Sequence, residues 1–356
     1  MVRVMNSSLT LDSYRLLGRS GLRVSPLALG TMTFGETWGA EEAESQRIFD
    51  VYVDRGGNFI DTAGYYAAGR AEALTGKFAR SKRQHLVLST KYSLSREEGD
   101  PNACGNSRRS MMRSVEDSLK RLETDYIDLL FLHVWDDTTP ADEILRGFDD
   151  LVRQGKVIYI GISDTPAWRV SRLQTMAELR GWTQFAALQV EYSLLQRATE
   201  RELIPAASAL GMGVMAWSPL GSGLLSGKYA SVARAAVEEP GGRRAGLEAF
   251  GRVNPASVAV ADAVKQVADQ MGATSAQVAI AWTLANPAVV APIVGARLLR
   301  QLEDDLGALT VTLSAEHKAQ LDQASRIELG FPHDFLNLEF IHRGLFGGTK
   351  VRPRSP

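Results

Sequence analysis

Short, almost wholly apolar runs alternate along the chain with longer stretches whose apolar residues recur at helical spacing. Leu27-Ala28-Leu29 precedes Glu41 to Arg55, in which Ile48, Val51 and Tyr52 line one helical face. Phe59-Ile60 precedes Ala71 to Ala79, Leu86-Val87-Leu88 precedes Ser107 to Leu122, and Ile127 to Leu132 precedes Ala141 to Gln154. Tyr159 to Ile162 pairs with Trp168 to Arg180, and Ala186 to Val190 with Glu200 to Leu210. Val214 to Ala216 is a further strand, and helices follow over Val258 to Met271 and Ser275 to Leu284. Val289 to Val294 is the last strand, with Leu299 to Leu306 as its helix. Outside one insertion the units repeat every roughly 25 to 40 residues, as βα units require. The strands are apolar on both faces, the mark of a covered parallel sheet. An open doubly wound sheet is the rival. The regular succession of units, with no G-x-G-x-x-G after the first strand, favours a closed (β/α)8 TIM barrel.

Three segments break this rhythm. Tyr14 to Val24, with Gly18-Arg19-Ser20-Gly21 at its centre, predicts an N-terminal β-hairpin closing the barrel bottom. Tyr229 to Val253 has no clear period and reads as a mobile loop over a site. The C-terminal tail from Phe331 is rich in Gly, aromatic residues and Arg without a pattern. It either packs over the barrel mouth, pairs with another subunit in a homo-oligomer, or frays. The expected organisation is an extension over residues 1–13, a barrel over 14–330 and a tail over 331–356.

Composition narrows the classes. With 45% apolar and 23% charged residues, the chain has an ordinary globular make-up. A net charge of −1 offers no field for nucleic acid. The single cysteine, Cys104, cannot form an intramolecular disulfide and reads as an incidental thiol in a reducing cytosol. No run approaches the ~18 apolar residues of a membrane span, and Met1 to Asp12 lacks a signal-peptide core. A cytoplasmic protein acting on small molecules is expected.

Candidate chemistry lies where strands end. Phe59-Ile60 runs into Asp61, Leu86 to Thr90 into Lys91, and Asp128 to Leu132 into His133; Tyr66 follows shortly after Asp61. Each residue has an ordinary alternative: a helix-capping Asp, a solvated Lys, a structural His, a packed Tyr. Together they follow consecutive strands, so in a parallel barrel they converge on one rim. An unpaired charge buried there costs several kcal/mol. The set suits a carbonyl. A Lys ammonium is expected to lower the pKa of Tyr66, with Asp61 keeping the Lys charged. His133 could donate a hydrogen bond to the carbonyl oxygen. No metal-ligand spacing is present, and a hydride donor is the missing part. A Schiff-base lyase using Lys91 is an alternative use of the same barrel. Gly221 to Lys228 looks like a phosphate loop but fits neither G-x-x-x-x-G-K-[ST] nor G-x-G-x-x-G. Phe34, Trp38, Tyr65, Tyr92 and Trp135 lie just past strand ends and could form an aromatic substrate pocket.

The stretch Asp61-Thr62-Ala63-Gly64-Tyr65-Tyr66, with Gly69 and Glu72, resembles the D-T-A-x-x-Y-x-x-G-x-x-E motif of the aldo-keto reductases. Leu29-Gly30-Thr31-Met32, Leu88 to Lys91, Leu130 to His133, Ile160 to Ser163, Gln189 to Ser193, Trp217 to Leu220 and Ile293 to Arg297 extend the likeness from about Tyr14 to Ala324. Ser218 to Tyr229 is similar to the aryl-alcohol-dehydrogenase and potassium-channel β-subunit branch. The resemblance implies a barrel that binds extended NADPH, with NADH less favoured, and reduces aldehydes or ketones reversibly. It implies Tyr66 as acid, Lys91 and Asp61 as its tuners, and His133 as the carbonyl-positioning group. Ser163 and Gln189 would hold the nicotinamide carboxamide with Asp164 beside them, Trp217 would stack on the ring, and Thr31, Met32 and Asp61 would also contact the cofactor. Ser218, Leu220, Gly223, Leu225 and Lys228 would cradle the pyrophosphate. Arg297 and Gln301 would face the 2′-phosphate, with Asp304 and Asp305 near the adenine and Gly295 a further cofactor contact. The sequence departs from the family at Asp164, where Asn or Arg is commoner, and at Asp305, where Asn is usual. The branch also allows a cofactor-binding regulatory module with slow chemistry.

Overall fold

The computed structural model describes residues 9–95, 97, 99–227 and 253–351. Lys228 and the loop expected over Tyr229 to Val253, Val253 itself excepted, lie outside the described residues. A closed barrel forms from β3 (Ala28–Gly30), β4 (Phe59–Asp61), β5 (Val87–Tyr92), β6 (Ile127–Leu132), β7 (Val157–Ser163), β8 (Phe185–Glu191), β9 (Gly213–Trp217) and β10 (Val289–Val294). Every neighbouring pair is parallel, and β10 closes on β3. The (β/α)8 barrel expected from the sequence is therefore the observed architecture.

The surrounding helices are α1 (Glu42–Asp54), α2 (Arg70–Ala79), α3 (Arg108–Leu122), α4 (Ala141–Arg153), α5 (Ala167–Arg180), α6 (Leu203–Leu210), α7 (Pro255–Met271), α8 (Ser275–Leu284), α9 (Leu299–Gly307) and α10 (Ala315–Ala324). Local chemistry starts and stops them. The Ser107 side chain accepts the Ser110 N–H at the start of α3, and reciprocal side-chain caps link Asn254 with Ser257 and Thr274 with Gln277. Gly181, Gly211 and Gly272 end α5, α6 and α7 in the left-handed conformation.

Strand alternation explains why both faces read as apolar. Phe59, Val87, Leu129, Phe131, Ala187, Met215 and Ala291 form one buried cluster with Leu17 and Val24. Ile60, Leu88, Leu130, Leu132, Ile160, Ile162, Leu188 and Val190 belong to the second cluster, shared with the helices. One parity fills the barrel and the other meets the helical layer. Inward-facing position 161 is a glycine, where a Cβ would sit 2.2 Å from the Phe131 ring.

The hairpin of β1 (Arg15–Leu16) and β2 (Arg23–Val24) plugs the bottom, as expected. Arg19 N–H donates to Gly211 O at 2.9 Å, and Arg15 Nη1 donates to Val289 O at 3.1 Å, both at strand N-terminal ends. With that end sealed, the opposite rim is left for a site. The tail corrects the sequence reading in part. It contains α11 (His333–Leu336) and α12 (Glu339–Phe346), whose period escaped notice because Phe331, Phe340 and Leu345 are exposed and show no buried stripe. Helix α10 also went unread; only Leu321 is buried in it. Among the described residues no helix is long and apolar enough to cross a membrane.

Candidate active site

Residues 61, 89, 91, 133, 163, 189 and 217 all continue the inward parity of their strands. The register places Asp61 beside Ser89, Lys91 beside Phe131, and Ser163 beside Gln189. These side chains therefore meet at the C-terminal mouth, where barrels of this kind carry function.

The centre is a buried ion pair. Lys91 Nζ donates to Asp61 Oδ2 at 2.6 Å and to Thr62 O at 2.8 Å. The other carboxylate oxygen, Oδ1, accepts from Ser89 Oγ at 2.7 Å and from Gln189 Nε2 at 3.1 Å. A buried pair with its lone pairs met in this way tolerates desolvation, whereas either charge alone would not. Ser89 escaped the sequence reading; its parity, shared with Lys91, was the available signal.

Tyr66 reaches this pair from a strained turn. Residues Tyr66–Gly69 form a 3-10 turn in which Ala67 and Ala68 have φ of 48° and 52°. Left-handed non-glycine residues cost ~1–3 kcal/mol each and persist only where their surroundings hold them. Here Glu36 Oε1 accepts the Ala67 N–H at 3.0 Å. Arg121 braces the far end: a Cβ on Gly69 would lie 2.7 Å from its Cδ. Fully buried Glu72 in turn accepts from Arg121 Nε at 2.7 Å and Thr90 Oγ1 at 2.5 Å.

The electrostatics give each group a protonation state. Burial raises the Tyr66 pKa; Lys91 opposes this and Asp61 adds to it, leaving the phenol above its ordinary value. The expectation of a lowered Tyr66 pKa is thus corrected: the ammonium moderates a larger desolvation. For Lys91, burial acts downward, but Asp61 and Tyr66 outweigh it and leave the pKa raised. His133 falls to about 3 through burial and the Lys91 charge, so its ring is neutral at pH 7. The Lys91 ammonium is 4.8 Å from the Tyr66 ring centre, and the His133 ring meets Tyr66 edge-on at 6.0 Å. His133 Nδ1 is buried without a hydrogen-bond partner.

A family model described as the aldo/keto reductase family matches residues 26–326. The chain belongs to the aldo/keto reductase family. It is similar to norsolorinic acid reductase of Aspergillus flavus, with 36% identity over 92% of this chain and 84% of that protein. An NADP(+) aryl-alcohol dehydrogenase of Phanerodontia chrysosporium is 36% identical over 88% of this chain and 86% of its own length. An uncharacterized oxidoreductase of Bacillus subtilis is 41% identical, covering 85% of this chain and 93% of its own. The relatives are named as oxidoreductases, and Asp61, Tyr66, Lys91 and His133 lie at the mouth of a barrel in this chain.

The second half of this aldo/keto reductase's rim is less closed on itself. Ser163 Oγ is buried and makes no well-formed hydrogen bond among the described residues, though it is close enough to Asp164 to stabilise that carboxylate. Trp217 is half-buried, and its Nε1–H donates to Asp164 Oδ1 at 3.1 Å. Ser218, with φ of 54°, accepts the Ser222 N–H at 2.9 Å and shapes the tight turn over Gly221–Ser226 that includes Gly223 and Leu225, just after Leu220. Thr31 is buried, its hydroxyl donating to Asp61 O at 3.3 Å, while Met32 is exposed. Gly295 is exposed beside Gly30. Arg297 Nη1 reaches Trp38 O at 3.4 Å. The Gln301 side chain accepts the Arg297 N–H at 2.9 Å, and Asp304 Oδ1 accepts from Thr274 Oγ1 and Gln277 Nε2, both at 2.9 Å. Gln301 thus caps a helix and Asp304 staples α8 to α9. Asp305 is buried.

The aromatic set divides. Phe34 is wholly buried edge-on to Phe78, and Tyr92 packs edge-on to Phe148, so neither is open to a substrate. Both have side chains turned to the helical layer, which strand-end position alone did not reveal. Tyr65, Trp38 and Trp135 retain exposure. Trp168 and Arg169 were missed: the Arg169 guanidinium lies 4.1 Å from the Trp168 ring centre and 4.8 Å from that of Trp135. An exposed Trp opening the helix after β7 was the signal.

Proposed function

We propose that this chain is an NADP(H)-dependent reductase of aldehydes and ketones, with aromatic carbonyls as its substrates. The observation that carries the reading is the buried Lys91–Asp61 pair set beneath a protonated Tyr66 and a neutral His133. The residues present fit a nicotinamide cofactor. The Ser163 hydroxyl, without a well-formed hydrogen bond among the described residues, suits a carboxamide, and the half-open Trp217 ring suits stacking. The Ser218 turn would hold the pyrophosphate, and Arg297 the 2′-phosphate.

When bound, the reduced cofactor supplies a hydride to the carbonyl carbon. Tyr66 gives its phenolic proton to the carbonyl oxygen, so the carbonyl gains two electrons and two hydrogens overall. Lys91 stabilises the phenolate left behind, and Asp61 keeps Lys91 charged and fixed. The N–H of the neutral His133 ring donates to the carbonyl oxygen and orients it. The raised pKa of Lys91 disfavours the free amine that a Schiff-base lyase needs. Trp135, Tyr65, Trp38 and Trp168 support a flat aromatic substrate, in keeping with the name of the aryl-alcohol dehydrogenase relative.

The test is oxidation of NADPH and NADH against a panel of aromatic aldehydes, polycyclic ketones and sugars. Turnover of aromatic carbonyls with NADPH preferred is the expected outcome. Tight cofactor binding with negligible rates on every substrate would contradict the reading and favour a regulatory module.

A further inference from the structure

We propose that Asp164 biases the site toward the oxidised cofactor: its carboxylate, fixed by the Trp217 indole N–H, strengthens binding of the cationic nicotinamide relative to the neutral reduced one. The inference rests on the nicotinamide reading above and deepens it.

Neither the backbone nor the hydrogen bond at this position requires a charge. Asp164 has φ of 38°, a left-handed conformation that Asn adopts as readily as Asp. The Trp217 Nε1–H donates to Asp164 Oδ1 at 3.1 Å, and an amide oxygen would accept the same bond. The charge is not needed to neutralise Lys91 either, since Asp61 already accepts from that ammonium at 2.6 Å. The carboxylate is therefore in excess of the local structural need.

Its field nevertheless reaches the reaction centre. Asp164 interacts electrostatically with both Lys91 and Tyr66. The residue is exposed, but desolvation beside the Trp217 indole raises its pKa against the pull of Trp217, Ser163 and Lys91. A ring stacked on Trp217 would lie beside the carboxylate that the indole N–H holds at 3.1 Å. The oxidised nicotinamide carries a positive charge and the reduced one carries none, so only the oxidised form gains from a carboxylate. Transfer of hydride to a carbonyl develops that same charge, so the carboxylate favours the reductive direction.

The test uses the full chain and calorimetric titration with NADP+ and, separately, NADPH. Asp164→Asn keeps the acceptor for Trp217 and removes the charge. Its ratio of NADP+ to NADPH dissociation constants should rise about tenfold over wild type, equivalent to about 1.4 kcal/mol or about 30 mV for a two-electron couple. Asp164→Glu, which keeps the charge, should stay within about threefold of the wild-type ratio. An unchanged ratio in Asp164→Asn overturns the proposal. So does parallel weakening of both forms, which would make Asp164 only a support for Trp217. A glutamate variant behaving like the asparagine one overturns it too. Failure of wild type to bind either form removes the cofactor reading as well, whereas tight binding with an unmoved ratio removes this inference alone.

Discussion

The two halves of the barrel mouth share one strand parity and differ in how their side chains are satisfied. Strands β4 to β6 carry Asp61, Lys91 and His133 at or just past their C-terminal ends, where the ion pair is buried and both Asp61 carboxylate oxygens have partners. Strands β7 to β9 carry Ser163, Gln189 and Trp217 at or near their C-terminal ends, with a serine hydroxyl that makes no well-formed hydrogen bond among the described residues and an indole half open. Gln189 links them by donating to Asp61. The difference teaches how one rim divides labour. On the proposed function, the groups that would stabilise developing charge are preset by the protein, while those that would hold the cofactor leave valences for it.

Four results would break or sharpen this contrast. Tyr66→Phe should lower reductive turnover by about 10³-fold or more, because it removes the only proton donor assigned to the carbonyl oxygen. Steady-state rates at saturating NADPH check this; near wild-type rates would end the assignment. Arg121→Ala should destabilise the fold by roughly 2–3 kcal/mol, since it strands the buried Glu72 carboxylate, with Arg121 itself a third exposed. Urea unfolding reads the loss, and an unchanged midpoint would mean that the brace under Tyr66 is dispensable.

Arg297→Ala should weaken NADPH about tenfold while leaving NADH nearly unaffected. Titrations with each cofactor decide it; equal loss for both would take the 2′-phosphate away from this residue. The last effect, with a slope of at most about 1.4 kcal/mol per pH unit, concerns His133. Its folded pKa of about 3 lies below the ordinary 6.5, so the unfolded chain takes up the proton first. Stability is full above about pH 6.5 and declines as pH falls toward 3. His133→Asn should flatten that decline in urea midpoints measured across the window, and an identical slope would refute the buried neutral ring.

The fold was legible because alternating runs of one length class recur with little interruption. Ile127 to Leu132, Ser275 to Leu284 and Val289 to Val294 fall at the observed boundaries. The juxtaposition of Asp61, Lys91 and His133 was legible for the same reason, since each ends an inward-facing strand position. Other features depend on three-dimensional packing. The sign of the Tyr66 shift turns on how much burial outweighs Lys91, which no spacing reveals. Phe34 and Tyr92 follow strand ends as closely as Trp135 does, yet their rings turn to the helices. Gln301 and Asp304 carry the right chemistry for a ligand and use it to cap and staple helices. The tail helices show too few buried residues to leave a readable period.

The claim that catalysis and cofactor binding occupy separate halves of the rim has one direct test. It is the dissociation constant of NADPH for Tyr66→Phe, measured by calorimetry beside wild type. The division of labour predicts values within about twofold of each other despite the lost turnover. A loss of binding that parallels the loss of turnover would contradict it.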